Sequence, residues 1–313
     1  MNKKNEYNQF LIKEAKKYGI KAIAYDESLS YVELVKGNKK SLFCGGVICD
    51  KSSASAVSLC RQKHYSYNYL KKNNYSVLPQ IKTNSISSLN VFLKKYKEVV
   101  IKPLNQKQGK GVTVGINNKK ELQSAFKLAQ KYTKSVIAEK YFSSEDLRVL
   151  VVNYKDIFAV KRVPANIIGD GKSNIKQLIT KKNKKGFPGK RWLGIEVDDV
   201  LIAFLRKQKY TLSSVPQKDE TIFLRGTANV HTGGEAHDVT NELPIEIKKE
   251  ALCLAKRLKL PVIGVDYLVS SDYKKRYIIE LESEPGIKLH HNPVVGKKRN
   301  PSKSIFEIAF GRL

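Results

Sequence analysis

Apolar positions along the chain recur in two periods, helical and alternating, that follow one another from end to end, and this pattern predicts an α/β protein. Phe10, Leu11, Ala15 and Tyr18 fall at helical spacing over 6–18, and the apolar run 21–25 after them reads as a strand. Strand patterns at 31–35 and 41–43 flank Gly37-Asn38, a hairpin signal. A helical stretch covers about 54–73, and a turn-rich segment leads into a strand at 98–102. Residues 105–111 are too polar and glycine-rich for regular structure, and a returning strand follows at 112–116. A helix near 119–131 and a strand at 136–139 complete an α+β unit of the size of a lid. Strands at 147–153 and 157–163, helices near 173–182 and 197–207, a helix over 244–258 with Pro244 in its first turn, and paired strands at 262–269 and 276–282 build the last part. The expected organisation is α/β with α+β lobes: a small N-terminal lobe over 1–60, a helical connection over 61–97, a lid over 98–141 and a C-terminal lobe over 142–313.

Composition narrows the class. A length of 313 residues exceeds a domain of roughly 100 to 200, so lobes sharing one cleft are expected. No apolar run approaches the roughly 20 residues of a membrane span, which argues against a membrane protein. The first residues lack a secretory apolar core, so a cytoplasmic location is expected. Cys44, Cys49, Cys60 and Cys253 form no CxxC pair and suggest neither a zinc site nor a disulfide framework. The net charge of +29 comes from 58 basic residues, of which only ten are Arg. Lysines dispersed along the whole chain fit a solvated basic surface better than an Arg-led phosphate-reading one; an anionic substrate or acidic protein partner is the other reading.

Three segments carry chemistry. Val99-Val100-Ile101-Lys102-Pro103 followed by Gly109-Lys110-Gly111 combines a strand-fixed cation with glycine backbone able to curl over phosphate oxygens, although a plain turn has the same look. Gly171-Lys172-Ser173 is no P-loop, because Asn166 stands where that loop requires glycine. Glu280 and Glu282 are two apart on a strand and face one side, where Asp266 can join them from a neighbouring strand. Three such carboxylates suit a hard cation such as Mg²⁺, or equally solvent-side acids answering Lys274, Lys275 and Arg276. Arg225 through Gly234 gathers a guanidinium, the Asn229 carboxamide and a Gly-Gly turn, able to hold an acyl-phosphate oxygen.

Taken in order, Lys102 with its glycine loop, Glu139-Lys140-Tyr141, Asp146-x-Arg148, Arg225 to Gly234, Asp266 and Glu280-x-Glu282 before Pro285-Gly286 resemble the ATP-grasp ligases over nearly the whole chain. Within them the chain is most similar to the ATP-grasp modules of cyanophycin synthetase and bifunctional glutathione synthetase, through 162–172, 229–234 with 238–240, and 285–290 with 296–299. The resemblance implies an ATP-grasp fold and ATP and Mg²⁺ as cofactors, with Mn²⁺ as a substitute. By the same resemblance Lys63, Lys102, Gly109, Lys110 and Gly111 would contact ATP phosphates, Glu139, Lys140 and Tyr141 the adenine, and Asp146 the ribose. Asp266, Glu280 and Glu282 would hold the metal, and Arg225 with Asn229 would steady the acyl phosphate. Arg148 and Arg162 would touch substrate or phosphate. Glu282 departs from the family pattern, where Asn is usual, and adds a negative charge there.

The expected activity is a carboxylate–amine ligase joining small molecules through an acyl phosphate with release of ADP and phosphate. One alternative is transfer to a thiol of an acidic carrier protein. Another is a nucleic-acid-binding protein without catalysis, which explains the charge and leaves the acidic trio unexplained. Homo-oligomerisation is left open.

Overall fold

The computed structural model describes residues 5–104, 111–187 and 192–313. The N-terminal lobe opens with α1 (Glu6–Lys16), capped by Asn5 and burying Leu11 and Ala15. Strands β1 (Lys21–Ala24), β2 (Tyr31–Lys36), β3 (Lys39–Cys44) and β4 (Ile48–Cys49) then form an antiparallel meander in chain order. The single helix expected over 54–73 is two, α2 (Ala54–Cys60) and α3 (Lys63–Lys72). They break at Arg61-Gln62, where Lys63 can then start a new helix beside the acidic strand described below.

The lid contains β5 (Gln80–Thr83), α4 (Ile86–Tyr96), β6 (Val99–Pro103), β7 (Thr113–Ile116), α5 (Lys119–Gln130) and β8 (Val136–Lys140). Its sheet order is β5-β8-β6-β7. The segment read as turn-rich is thus largely helix: Ser85 caps α4, and Leu89, Phe92 and Leu93 pack on Val99, Ile101, Leu122 and Phe126. β5 and α4 share this core although they lie before residue 98.

The C-terminal lobe is built on β9 (Glu145–Val152) and β10 (Asp156–Val163). An inserted unit follows: β11 (Asn166–Ile168), α6 (Ile175–Lys185), α7 (Asp199–Lys207) and β12 (Thr221–Phe223). It has its own core of Ile167, Ile175, Ile179, Leu201 and Leu224. Then come β13 (Glu235–Asp238), α8 (Ile245–Leu258), β14 (Val262–Val269), β15 (Arg276–Glu282), α9 (Lys288–His291) and α10 (Pro301–Phe310). Pro244 stands just before α8 as its N-cap, one position earlier than expected.

The main sheet runs β13-β10-β9-β14-β15, antiparallel throughout. One face, carrying Leu147, Val149, Val151, Val265 and Tyr267, is covered by α8 through Ile247, Ala251 and Leu254. On the other face Leu150, Val152 and Val262 pack against α1, the N-terminal sheet and α10. Part of the rest of that second face carries charge, beside a small apolar cluster that includes Val160 and Ala236. No helix among the described residues is long and apolar enough to cross a membrane.

Candidate active site

Pairing registers align Asp238, Val160, Arg148, Asp266 and Glu280 in one row across all five strands of the main sheet. Directly opposed residues share a face. The neighbouring row contains Phe158, Leu150, Gly264 and Glu282, and the row on the other side pairs Arg162 with Asp146. Five carboxylates and two arginines therefore project from one surface, and the β14–β15 pairing is irregular between Asp266 and Tyr267, beside them. Gly264 lets the cluster close: a Cβ there would stand 3.3 Å from Arg148 Cδ and 2.9 Å from Pro285 Cβ.

Burial makes these charges depend on one another. Arg148 is 3% exposed and Asp266 2%. Arg148 donates from Nε to Asp266 Oδ1 and from Nη2 to Oδ2, the latter at 2.9 Å. Arg162 donates from Nη2 to Asp266 Oδ2 at 2.7 Å and from Nε to Asp146 Oδ1 at 2.6 Å. Glu282 Oε2 lies 3.0 Å from Arg148 Nη2, and Lys63 Nζ is 3.5 Å from Glu280 Oε1. Burial works to raise the Asp266 pKa, but the guanidinium groups of Arg148 and Arg162 outweigh it and hold the carboxyl at about 2. Burial prevails at Asp146 and Glu282, which are pushed up despite their arginine neighbours. For Arg148 the surrounding acids overcome burial and raise it further above the usual arginine range.

One ligand atom each from Asp266, Glu280 and Glu282 can be chosen so that all lie within 4.8 Å of one another. An octahedron with bonds of about 2.1 Å has opposite vertices about 4.2 Å apart, so a small inward movement suits a hard divalent cation. The all-oxygen donor set points the same way.

In the lid, Lys102 Nζ is 2.7 Å from Glu139 Oε1, so the strand-borne lysine is held by an acid that is itself buried. The N–H groups of Lys140 and Tyr141 donate to the carbonyls of Pro79 and Glu98. Contacts from these two residues to a base would therefore use carbonyls or side chains. Gly109 and Lys110 lie outside the described residues. Gly111 has φ 71°, and a Cβ there would meet Pro103 and Tyr132 at 2.8 Å.

The inserted unit positions the third group. Arg225, 5% exposed, pairs at 2.9 Å with Asp198, the N-cap of α7, and donates to the carbonyl of Glu196 at 3.1 Å. Its Nε is buried with no hydrogen-bond partner among the described residues. Asn229 accepts from the His231 N–H, and its carbonyl takes the N–H of Gly234, fixing the turn in which Gly233 adopts φ 89°. Trp192 Nε1 donates to the Gly233 carbonyl at 2.9 Å.

Further groups stand on or near the charged face without having been singled out by spacing. Arg299 binds Asp238 with both Nε and Nη2, at 3.1 and 2.6 Å. His290 is buried, its ring near Phe158, and its Nδ1 has no hydrogen-bond partner among the described residues. Burial, helped by the charge of Arg148, holds its pKa near 3. Glu235 accepts from Lys182 at 2.6 Å and lies 2.9 Å from His237 Nε2. Asp238, His290 and Arg299 fall in the segments 238–240, 285–290 and 296–299 that carry the resemblance, which gave them no role.

The ATP-grasp domain of prokaryotic glutathione synthetase matches residues 70–203. Cyanophycin synthetase of Trichormus variabilis is 35% identical over 222 residues, covering 68% of this chain and 24% of that protein. The bifunctional glutathione biosynthesis protein of Clostridium perfringens is 28% identical over 315 residues, covering 96% of this chain and 40% of that one. A crystal structure of a bifunctional glutathione synthetase from Pasteurella multocida superimposes with a TM-score of 0.71 at 24% identity, covering 98% of this chain and 43% of the other. The chain belongs to the ATP-grasp family and has its fold. It spans between a quarter and two fifths of the length of these curated relatives.

Proposed function

We propose that the chain is an ADP-forming carboxylate–amine ligase, acting on small-molecule acids and amines and using ATP with Mg²⁺ or Mn²⁺. The observation that carries this reading is the convergence of buried Asp266 with half-buried Glu280 and Glu282 on one face of the main sheet. These three would hold the divalent cation, which would supply positive charge to the phosphate oxygens of ATP. Lys63 and Lys102, each now resting on a glutamate at the site, would exchange that contact for phosphate oxygens. Gly109, Lys110 and Gly111 would close over the phosphates, Glu139 to Tyr141 would face the adenine, and Asp146 the ribose.

A carboxylate oxygen of the acid attacks the γ-phosphorus, ADP leaves, and the acid becomes an acyl phosphate. The amine nitrogen then attacks the acyl carbon, the bond to phosphate breaks, and the amine gives up a proton. Arg225, with its unpartnered Nε, and Asn229 would steady the oxygens of the intermediate, and Arg148 with Arg162 would hold substrate or phosphate charge. Closure of the lid would keep water from the acyl phosphate. Cytoplasmic placement accords with four unpaired thiols. Lys102→Ala should abolish ATP turnover while the circular dichroism spectrum stays that of the wild type; undiminished turnover in this variant would contradict the assignment.

A further inference from the structure

Net charge is not spread evenly over this molecule. Residues 81–140 contain 13 lysines and three glutamates, +10 net, so about a fifth of the chain holds about a third of the +29 total. Two of the three glutamates point inward or sideways: Glu139 holds Lys102, and Glu121 meets Lys207 of the inserted unit at 3.1 Å. Four of these lysines, Lys94, Lys95, Lys97 and Lys119, stand in or beside α4 (Ile86–Tyr96) and line its flanks. Two shallow grooves of about 380 and 460 Å³ flank that helix and share Val91, which is 68% exposed. Lys94, Lys97 and Lys119 line one groove, and Lys71 and Lys95 the other. Neither groove is lined by an acid among the described residues, and none of these lysines has a carboxylate within 4.0 Å there. Tyr67, Ile81 and Tyr96 floor the larger groove.

We propose that this face of the lid docks an acidic polypeptide segment that sets an apolar side chain on Val91 and its carboxylates among Lys71, Lys94, Lys95, Lys97 and Lys119. An exposed apolar centre ringed by lysines matches an interface whose core is apolar and whose rim selects by charge. The occupant is a polypeptide because the cations are all lysine. Arginine, the residue suited to bidentate phosphate recognition, is absent from both grooves. Because the lid is the lobe expected to move over ATP, a partner seated on α4 would be placed to bias that movement. The surface lies outside the carboxylate row, so it stands or falls separately from the ligase reading.

The test uses a fluorescein-labelled 16-residue peptide of repeating Glu-Glu-Leu-Glu, read by anisotropy at about 50 mM salt. The comparators are a 16-mer oligothymidylate and phosphatidylserine vesicles. Binding of the peptide should weaken at least tenfold in the K94S/K95S/K97S variant. It should weaken less than threefold in K127S/K131S/K134S, which removes the same charge from another part of the lid. ATP turnover should match wild type in both. Equal weakening by the two triple variants would overturn the proposal, as would tighter, Lys94- to Lys97-dependent binding of the oligonucleotide or the vesicles. Hydrogen exchange on the unaltered protein gives an independent reading. Amides of 86–97 should gain protection when the peptide is added, and unchanged exchange there would also overturn it.

Discussion

Two of the three candidate metal ligands should differ sharply in what they contribute to folding. Asp266→Asn removes the carboxylate that receives Arg148 and Arg162 at a position 2% exposed, leaving the Arg148 guanidinium with Glu282 as its nearest acid. Stripping one partner from a buried, hydrogen-bonded ion pair costs about 3–5 kcal/mol. At roughly 2 °C per kcal/mol for a protein of this size, Tm should fall by about 6–10 °C. Glu280→Gln alters a side chain 29% exposed whose cation, Lys63, stands 3.5 Å away, so it should cost less than about 1 kcal/mol. Both variants should lose binding of Mn²⁺ measured by calorimetry with a non-hydrolysable ATP analogue. Differential scanning fluorimetry without metal gives the stability arm. A D266N protein melting within a degree of wild type would refute the claim that Asp266 neutralises the two arginines, and an E280Q protein as unstable as D266N would refute the distinction between them.

Asp198→Ala should remove both the cap of α7 and the acid partner of buried Arg225, lowering stability by about 2–4 kcal/mol. Fluorescence of Trp192, the sole tryptophan and part of the inserted unit, reports it, and a shift in urea midpoint equivalent to less than about 0.5 kcal/mol would contradict the packing described. Stability should also decline in mild acid. Burial holds His290 near 3 and His291 near 4, below an unfolded value of about 6.5. The unfolded chain therefore binds more protons in that window, and stability falls as pH drops from about 6.5 toward 4, by up to about 1.4 kcal/mol per pH unit per histidine. Urea midpoints taken from pH 7 to pH 4.5 check this, with His291→Asn expected to flatten the slope; a pH-independent midpoint would count against neutral buried imidazoles.

The shared face of the two glutamates was legible because it follows from the alternation of a strand. Glu280-x-Glu282 had to share a face, and Asp266 ends an apolar run able to lie beside them. Helix α4 was hidden because its first turns, Ser85 to Asn90, are built of residues that also favour turns. Only burial of Leu89, Phe92 and Leu93 against the lid core reveals why it coils. Helix α10 carried a usable signal, Asn300 capping and Pro301 in the first turn, that apolar spacing alone did not expose. The arginine clamp on Asp266 could not be foreseen, since residues 118 positions apart become neighbours only through strand order. For the same reason Asp238 and Arg299 could be quoted as fragments of a resemblance without any sign that they bind each other.

Isotope transfer from acid to phosphate tests the ligase reading most directly. Pooled amino acids and aromatic acids labelled with ¹⁸O in the carboxyl group would be supplied with amines and Mg·ATP, and the phosphorus products analysed by mass. The proposed chemistry predicts ADP and inorganic phosphate carrying one ¹⁸O atom from the acid. AMP carrying the label, with unlabelled pyrophosphate, would contradict it.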